Sequence, residues 1–334
     1  MGLEAGQKDR LLAGFALASN LLQLAGVYWD VGTHHAFVRE SFWSPPHLAI
    51  YAGVALALAA AAAGLRGGRI GVGGPPTPIR FGRYGLAILG PAIQVLAAPI
   101  DELWHRVIGQ DVSIWSPPHL LGILGGMIGV LGWLFVLVGA AGPSATNRTG
   151  RALTFGFSVL LLTGALFALG EYDHDQVVRE PWLYPILASV LAPWILVAAR
   201  GWLGWAWAGT ALAVCYTILR SALALGVWGI GLPWMGVPPL VVLAALSLDL
   251  AMARGAPGAA GMAFALVFTV SDYPLTYLLS GRAWSVLAWA GTLPAAAIAG
   301  WASARFGRWL SRSALESHPG VKPRVDLRER EPSR

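Results

Sequence analysis

What the chain lacks narrows its class first. A single cysteine, Cys215, stands among 334 residues, so neither an intrachain disulfide framework nor a cysteine-based zinc site can form. Only 12% of residues are charged against 56% hydrophobic. Soluble domains carry about 25% charged residues, so this composition excludes an ordinary water-soluble fold. No phosphate-cradling glycine loop, nucleophile elbow or His-Glu-x-x-His helix occurs, and nucleotide and hydrolytic chemistry therefore have no support. The glycine-rich run 67–76 follows no strand and opens no helix; it reads as a flexible connector. A cleavable signal peptide is not expected either, because the first apolar stretch, Leu11 to Tyr28, is as long as a membrane span and is followed by no small-residue cleavage site.

What is present fits a bilayer. Mean hydropathy is +0.61. The 16 Trp and 42 Gly suit interfacial indoles and closely packed membrane helices. Apolar segments of roughly the twenty residues needed to cross hydrocarbon run at about 11–30, 47–65, 84–101, 119–141, 152–171, 183–199, 202–225, 238–253, 257–279 and 284–304. The expected fold is an all-α polytopic transmembrane bundle, ten spans in five hairpins. It comprises a short cytoplasmic segment 1–10, a membrane domain 11–309 with two motif-bearing hairpins in 11–141 and further hairpins in 152–304, and a disordered cytoplasmic tail 310–334. With the N-terminus in the cytoplasm, the inner loops and tails collect most of the Lys and Arg, while the outer loops hold only Arg39, Arg106, Arg179 and Arg282. That asymmetry obeys the positive-inside rule and puts both termini in the cytoplasm. The net charge of +6 is thus topogenic, and nucleic acid is not an expected partner.

Within this scaffold one phrase occurs twice. Trp43-Ser44-Pro45-Pro46-His47-Leu48 returns as Trp115-Ser116-Pro117-Pro118-His119-Leu120, and upstream of each stand an aspartate and a histidine four residues apart, Asp30 with His34 and Asp101 with His105. Residues four apart share a helix face, so each pair can point into one space. Ser-Pro-Pro suits a helix start, which places His47 and His119 in the first turns of the returning helices. The positive end of a helix disfavours imidazolium and keeps the ring in its metal-binding form. Two imidazoles and a carboxylate suit a borderline divalent ion and leave coordination positions open. Against this stands a plainer reading, in which membrane histidines serve as packing hydrogen-bond partners and the carboxylates simply pair with them. Two occurrences with the same residue order and nearly the same spacing favour metal at both.

At these residues the chain resembles the C subunit of the copper membrane monooxygenases, the particulate methane and ammonia monooxygenase family. The likeness covers about residues 15–130 and is clearest in Asp101-Glu102-Leu103-Trp104-His105 and in Gln110-Asp111-Val112-Ser113-Ile114-Trp115-Ser116-Pro117-Pro118-His119. It implies copper at Asp30, His34 and His47 and again at Asp101, His105 and His119, with zinc as the alternative ion at either. Asp101 stands where the family has Asn, about six spans follow the motif hairpins, and nothing resembles the soluble copper domain of the family's B subunit.

Other ionisable residues are weighed beside these. Glu171, Asp173 and His174 are an additional candidate group, with a solvated acidic loop as the favoured alternative. His35 points about 100° around the helix from His34 and is expected, with Glu102, Arg220 and Asp272, to support the sites from outside the ligand sphere. Arg220 and Asp272 are costly alone in apolar surroundings, which suggests that they pair with each other or with a site carboxylate. The expected function is a multi-pass plasma-membrane copper protein with sites near the outer face. If it is an enzyme, it uses O2 to hydroxylate a small apolar substrate, alone or with other membrane subunits or copies of itself. Non-enzymatic copper handling, transport or assembly for a respiratory enzyme is the alternative, as is electron transfer through haem b held by two histidines.

Overall fold

The computed structural model describes residues 5–36, 41–67, 84–109, 113–139, 147–172, 180–233, 236 and 238–316. Ten α-helices follow one another: α1 Ala5–His35, α2 Pro45–Gly67, α3 Gly85–Val107, α4 Pro117–Gly139, α5 Arg148–Phe167, α6 Tyr184–Leu203, α7 Ala208–Gly229, α8 Val241–Met252, α9 Pro257–Ser280 and α10 Val286–Glu316. No strand interrupts them among the described residues. Among the described residues, nine helices are long and apolar enough to cross a membrane, so the all-α polytopic bundle stands.

The eighth helix is shorter than the expected span 238–253. Its 12 residues cover about 18 Å, against roughly 30 Å of hydrocarbon. The chain before it is not helical, and its backbone donors are handled individually. Pro238 and Pro239 have no N–H, and the amide of Leu240 donates to Asp272 Oδ1 at 3.2 Å. Asp272 is fully buried and also accepts from Thr276 Oγ1 at 3.0 Å. It satisfies irregular backbone at depth, where an unmet donor is costly.

Glycines decide which helices touch most closely. A Cβ on Gly90 of α3 would lie 2.2 Å from the Gly129 nitrogen of α4, and one on Gly132 would lie 2.2 Å from the Ala87 nitrogen. Backbone therefore packs directly on backbone along the α3–α4 hairpin, the small-residue mode of membrane helix association. The α1–α2 hairpin uses Gly26 against Ile50 and Gly53 against Gln23. Late in the chain the sequential hairpin scheme gives way: α6 packs chiefly on α10, and α10 also on α9, where Gly261 and Gly300 face each other.

The core is built of Trp133, Phe157, Leu161, Tyr216, Phe264 and Phe268, all fully buried. Two polar clamps fasten its ends. The Tyr84 hydroxyl donates to the Asp9 carboxylate, joining the start of α1 to the start of α3. Asp249 of α8, completely buried, receives Arg200 Nη1 at 3.1 Å, the Thr210 amide at 2.7 Å and Thr210 Oγ1 at 2.8 Å. It sits at the N-terminus of α7, where a carboxylate meets the orphan amides and positive end of the helix dipole.

Candidate metal centre

The two hairpins that carry the repeated phrase bring their polar residues to one place. Asp30 and His34 sit in the last turns of α1, and Asp101 and His105 in the last turns of α3. The proline pairs open α2 and α4, so His47 and His119 are the third residue of each helix. In each triad, Asp30, His34 and His47 or Asp101, His105 and His119, the candidate ligand atoms lie within 4.8 Å of one another. His47 Nε2 is 2.9 Å from Asp30 Oδ1. Asp101 stands between two rings, with Oδ1 3.2 Å from His119 Nε2 and Oδ2 3.4 Å from His105 Nε2.

The triads also meet each other. The His34 ring centroid lies 5.4 Å from that of His105 and 6.1 Å from that of His119. Six chemistry-bearing residues thus form one cluster at the ends of four helices, where the sequence suggested only two sites at equal depth.

Each returning histidine is aimed by a carbonyl. Ser41 O lies 3.0 Å from His47 Nδ1, and Ser113 O lies 2.8 Å from His119 Nδ1. With Nδ1–H donated to that carbonyl, Nε2 faces the aspartate, to which it can donate a proton, and an ion in the shared space would take that proton's place on the ring. The same carbonyls accept the amides of Ser44 at 2.9 Å and Ser116 at 3.3 Å, so one short turn both starts the helix and fixes the ring. Ser44 and Ser116 occupy the cap position but make no capping bond with their hydroxyls among the described residues. Pro45, Pro46, Pro117 and Pro118 leave few first-turn donors to cap. His105 is steadied differently, with Nδ1 3.4 Å from the Gly109 carbonyl. Gly109 has φ +103°, backbone that glycine adopts readily.

Glu171 holds the second loop in place. Its Oε1 accepts from Ser113 Oγ at 2.9 Å and from the Trp115 amide at 3.4 Å, while Trp115 Nε1 donates to Ala168 O at 2.7 Å. Glu171 therefore acts on His119 through the loop that presents Ser113 O. Its expected companions Asp173 and His174 lie outside the described residues. His35, half-buried at the end of α1, belongs to neither triad. Glu102 faces the surface and pairs with Arg106, Oε1 to Nη2 at 2.6 Å. Arg220 is buried with its guanidinium 5.1 Å from the Tyr28 ring centre.

The repeat extends beyond the phrase that starts at its tryptophan. Ser41 and Ser113 each stand six residues before the returning histidine, and Gln23 and Gln94 each stand seven before the aspartate. The wider phrase, Gln-x6-Asp-x3-His followed by Ser-x-Trp-Ser-Pro-Pro-His, was legible as a second alignment of the two hairpins.

Beneath the cluster lies a cavity of about 570 Å³ walled by α1 to α5. Asp30, His34, His47, Asp101 and His119 line it, and most of the remaining wall is apolar, including Leu24, Val54, Met127 and Leu160. Trp43 and Val95 line it while remaining 68% and 52% exposed, so it opens on the flank of the bundle. The fold and site together define an all-α, multi-pass membrane protein with paired Asp/His groups able to hold metal. No family model, curated protein or solved structure matches the chain.

Proposed function

We propose that this is an integral membrane copper protein whose paired triads hold copper beside an apolar cavity and support O2-dependent hydroxylation of a small apolar molecule drawn from the bilayer. The observation that carries the proposal is the clustering of two ligand-type triads, five of whose six residues line a largely apolar chamber. Imidazole and carboxylate suit borderline divalent ions, with zinc the alternative at either triad, and three ligands per triad leave positions open for O2. The resemblance of both triads to the copper membrane monooxygenase C subunit points the same way. Copper, when bound and reduced, would supply electrons for activating O2. Overall, a C–H bond, O2, two electrons and two protons yield an alcohol and water, and a membrane hydroquinone is the class of donor proposed.

The residues' own tasks follow from their geometry. Ser41 and Ser113 carbonyls hold His47 and His119 so that Nε2 faces inward, Asp30 and Asp101 offset the charge of an ion in a poorly solvated place, and the apolar walls exclude water. The scarcity of Lys and Arg in the loops next to the triads supports an outer-side location in the plasma membrane for them. Other membrane subunits, or further copies of the chain, are proposed as partners in a complete enzyme.

Transport or delivery of copper is the rival, and the cavity weighs against it. An ion path needs charged or polar groups along its length, whereas the cavity wall below the triads carries no further charged side chain among the described residues and is mostly apolar, with the amides of Asn20, Gln23 and Gln94 at its far end. Haem b is disfavoured because Asp30 and Asp101 occupy the space next to the histidine nitrogens. The test is to load purified protein with copper, add a chemical hydroquinone and O2, and look for alcohol from short alkanes. Product that requires both copper and O2 supports the reading; stoichiometric copper without product from any apolar substrate would favour the carrier.

A further inference from the structure

Two turns beneath the carboxylates the cavity has a second polar tier. Gln23 stands seven residues before Asp30 on α1, Gln94 seven before Asp101 on α3, and Asn20 one turn further along α1. All three line the cavity. At 1.5 Å per residue the glutamines lie about 10 Å from the carboxylates along their helices, on the same faces. Their hydrogen bonding leaves capacity toward the cavity. Gln94 Nε2 donates to Gly122 O at 3.1 Å and Asn20 Nδ2 donates to Ala16 O at 2.7 Å, which leaves each amide oxygen without a donor among the described residues. Gln23, 8% exposed, has no hydrogen-bond partner for its amide among them.

Buried amides in apolar surroundings are costly unless bonded. The wall between the two tiers is mostly apolar, with Tyr51 of α2 the exception, so a bound molecule meets most of its polar partners near its ends.

We infer that the cavity binds an elongated, mostly apolar molecule of about eight to twelve carbons, with one terminal hydroxyl held by Gln23, Gln94 and Asn20 and its opposite end delivered to the triads. The length follows from the tier separation, because an extended carbon chain advances roughly 1.25 Å per carbon. A hydroxyl suits the tier because it can donate its one proton to an amide oxygen of Gln94 or Asn20 while accepting from the Gln23 amide. The volume agrees: pockets of 300–1,000 Å³ take drug-sized ligands, and a one- or two-carbon gas would leave most of this space empty. The inference rests on the triads being the reactive end, and it specifies which molecules reach them.

Binding of radiolabelled 1-decanol to the full chain in phosphatidylcholine nanodiscs tests this, with empty nanodiscs correcting for partition. One saturable site per chain is expected, and decane should bind about tenfold more weakly for lack of the hydroxyl bond. The isosteric pair Gln23→Met with Gln94→Met should bring decanol down to the decane level without changing decane. Gly122→Leu, one turn inward of His119, should abolish both; its new Cβ meets only Ala97 Cβ at 4.0 Å, so the fold should accommodate the start of that side chain. Equal affinity for decanol and decane in the unmodified chain, non-saturable uptake, decanol binding untouched by Gly122→Leu, or a cavity that retains only a phospholipid acyl chain by native mass spectrometry would each overturn the inference. Chelator-stripped and copper-loaded protein should both bind decanol, whereas failure to bind copper would sink the metal reading alone.

Discussion

Glu171→Gln isolates the contribution of a residue that touches no candidate ligand. The carboxylate accepts from Ser113 Oγ at 2.9 Å and from the Trp115 amide at 3.4 Å, and the loop it holds presents Ser113 O to His119 Nδ1. Neutralising it weakens charge-assisted bonds by about 1 kcal/mol, and loss of an outer partner typically lowers metal affinity 10- to 100-fold. We expect about a tenfold weaker second site, at the low end because the hydrogen bonds are weakened and not removed. Ser113→Ala removes the hydroxyl but keeps the carbonyl, so it should have a similar effect. The double variant should be little worse than either single one, because both act through one contact. Competition titration against a chromophoric copper chelator, with the protein in detergent, measures this. Two unaltered affinities in Glu171→Gln, or additive losses in the double variant, would refute the argument that the loop aims His119.

Other perturbations separate the metal centre from the scaffold. His47→Ala should lower bound copper by about one ion per chain with the fold intact, while Pro46→Ala should do less; unchanged copper beside His119→Ala would make the first triad structural. Asp101→Asn removes one negative charge and should weaken the second site most, but because His34 lies 5.4 Å from His105 the first should also respond, and a titration showing no change at either site would remove the role given to Asp101. Gly90→Leu should collapse the α3–α4 packing and cost several kcal/mol or about the whole fold, whereas Gly226→Ala, with nothing within 4 Å of an added Cβ, should be silent in thermal unfolding. Asp249→Ala should destabilise by about 3–5 kcal/mol, the usual cost of breaking a buried pair, without altering metal content; lost copper with unchanged stability would contradict its assignment to the scaffold.

The spans were legible because a membrane helix announces itself by length and hydropathy alone. The triads were legible because helical spacing and Ser-Pro-Pro fix local direction: Asp30 with His34, and the first-turn placement of His47, follow from chain geometry. The meeting of the triads was not, since His34 beside His105 depends on how α1 and α3 pack, and glycine-mediated packing between hairpins has no one-dimensional signature. Ser41 and Ser113 act through carbonyls, which every residue has, so only their repetition marks them. A search for opposite charges suggests Arg220 as the partner of Asp272; it does not show the Leu240 amide and Thr276 Oγ1, from which Asp272 accepts. Glu171 stands out in the sequence as a candidate in an acidic group, but its role of holding the Ser113 loop was not legible because its partners sit 56 and 58 residues away.

Copper X-ray absorption with metal analysis on the purified, copper-loaded chain tests the central claim most directly. Two copper ions per chain are predicted, each with nitrogen and oxygen scatterers at about 2.0 Å and no sulfur, and both should be lost in the double variant His47→Ala with His119→Ala. Copper absent after loading, or retained unchanged in that double variant, would contradict it.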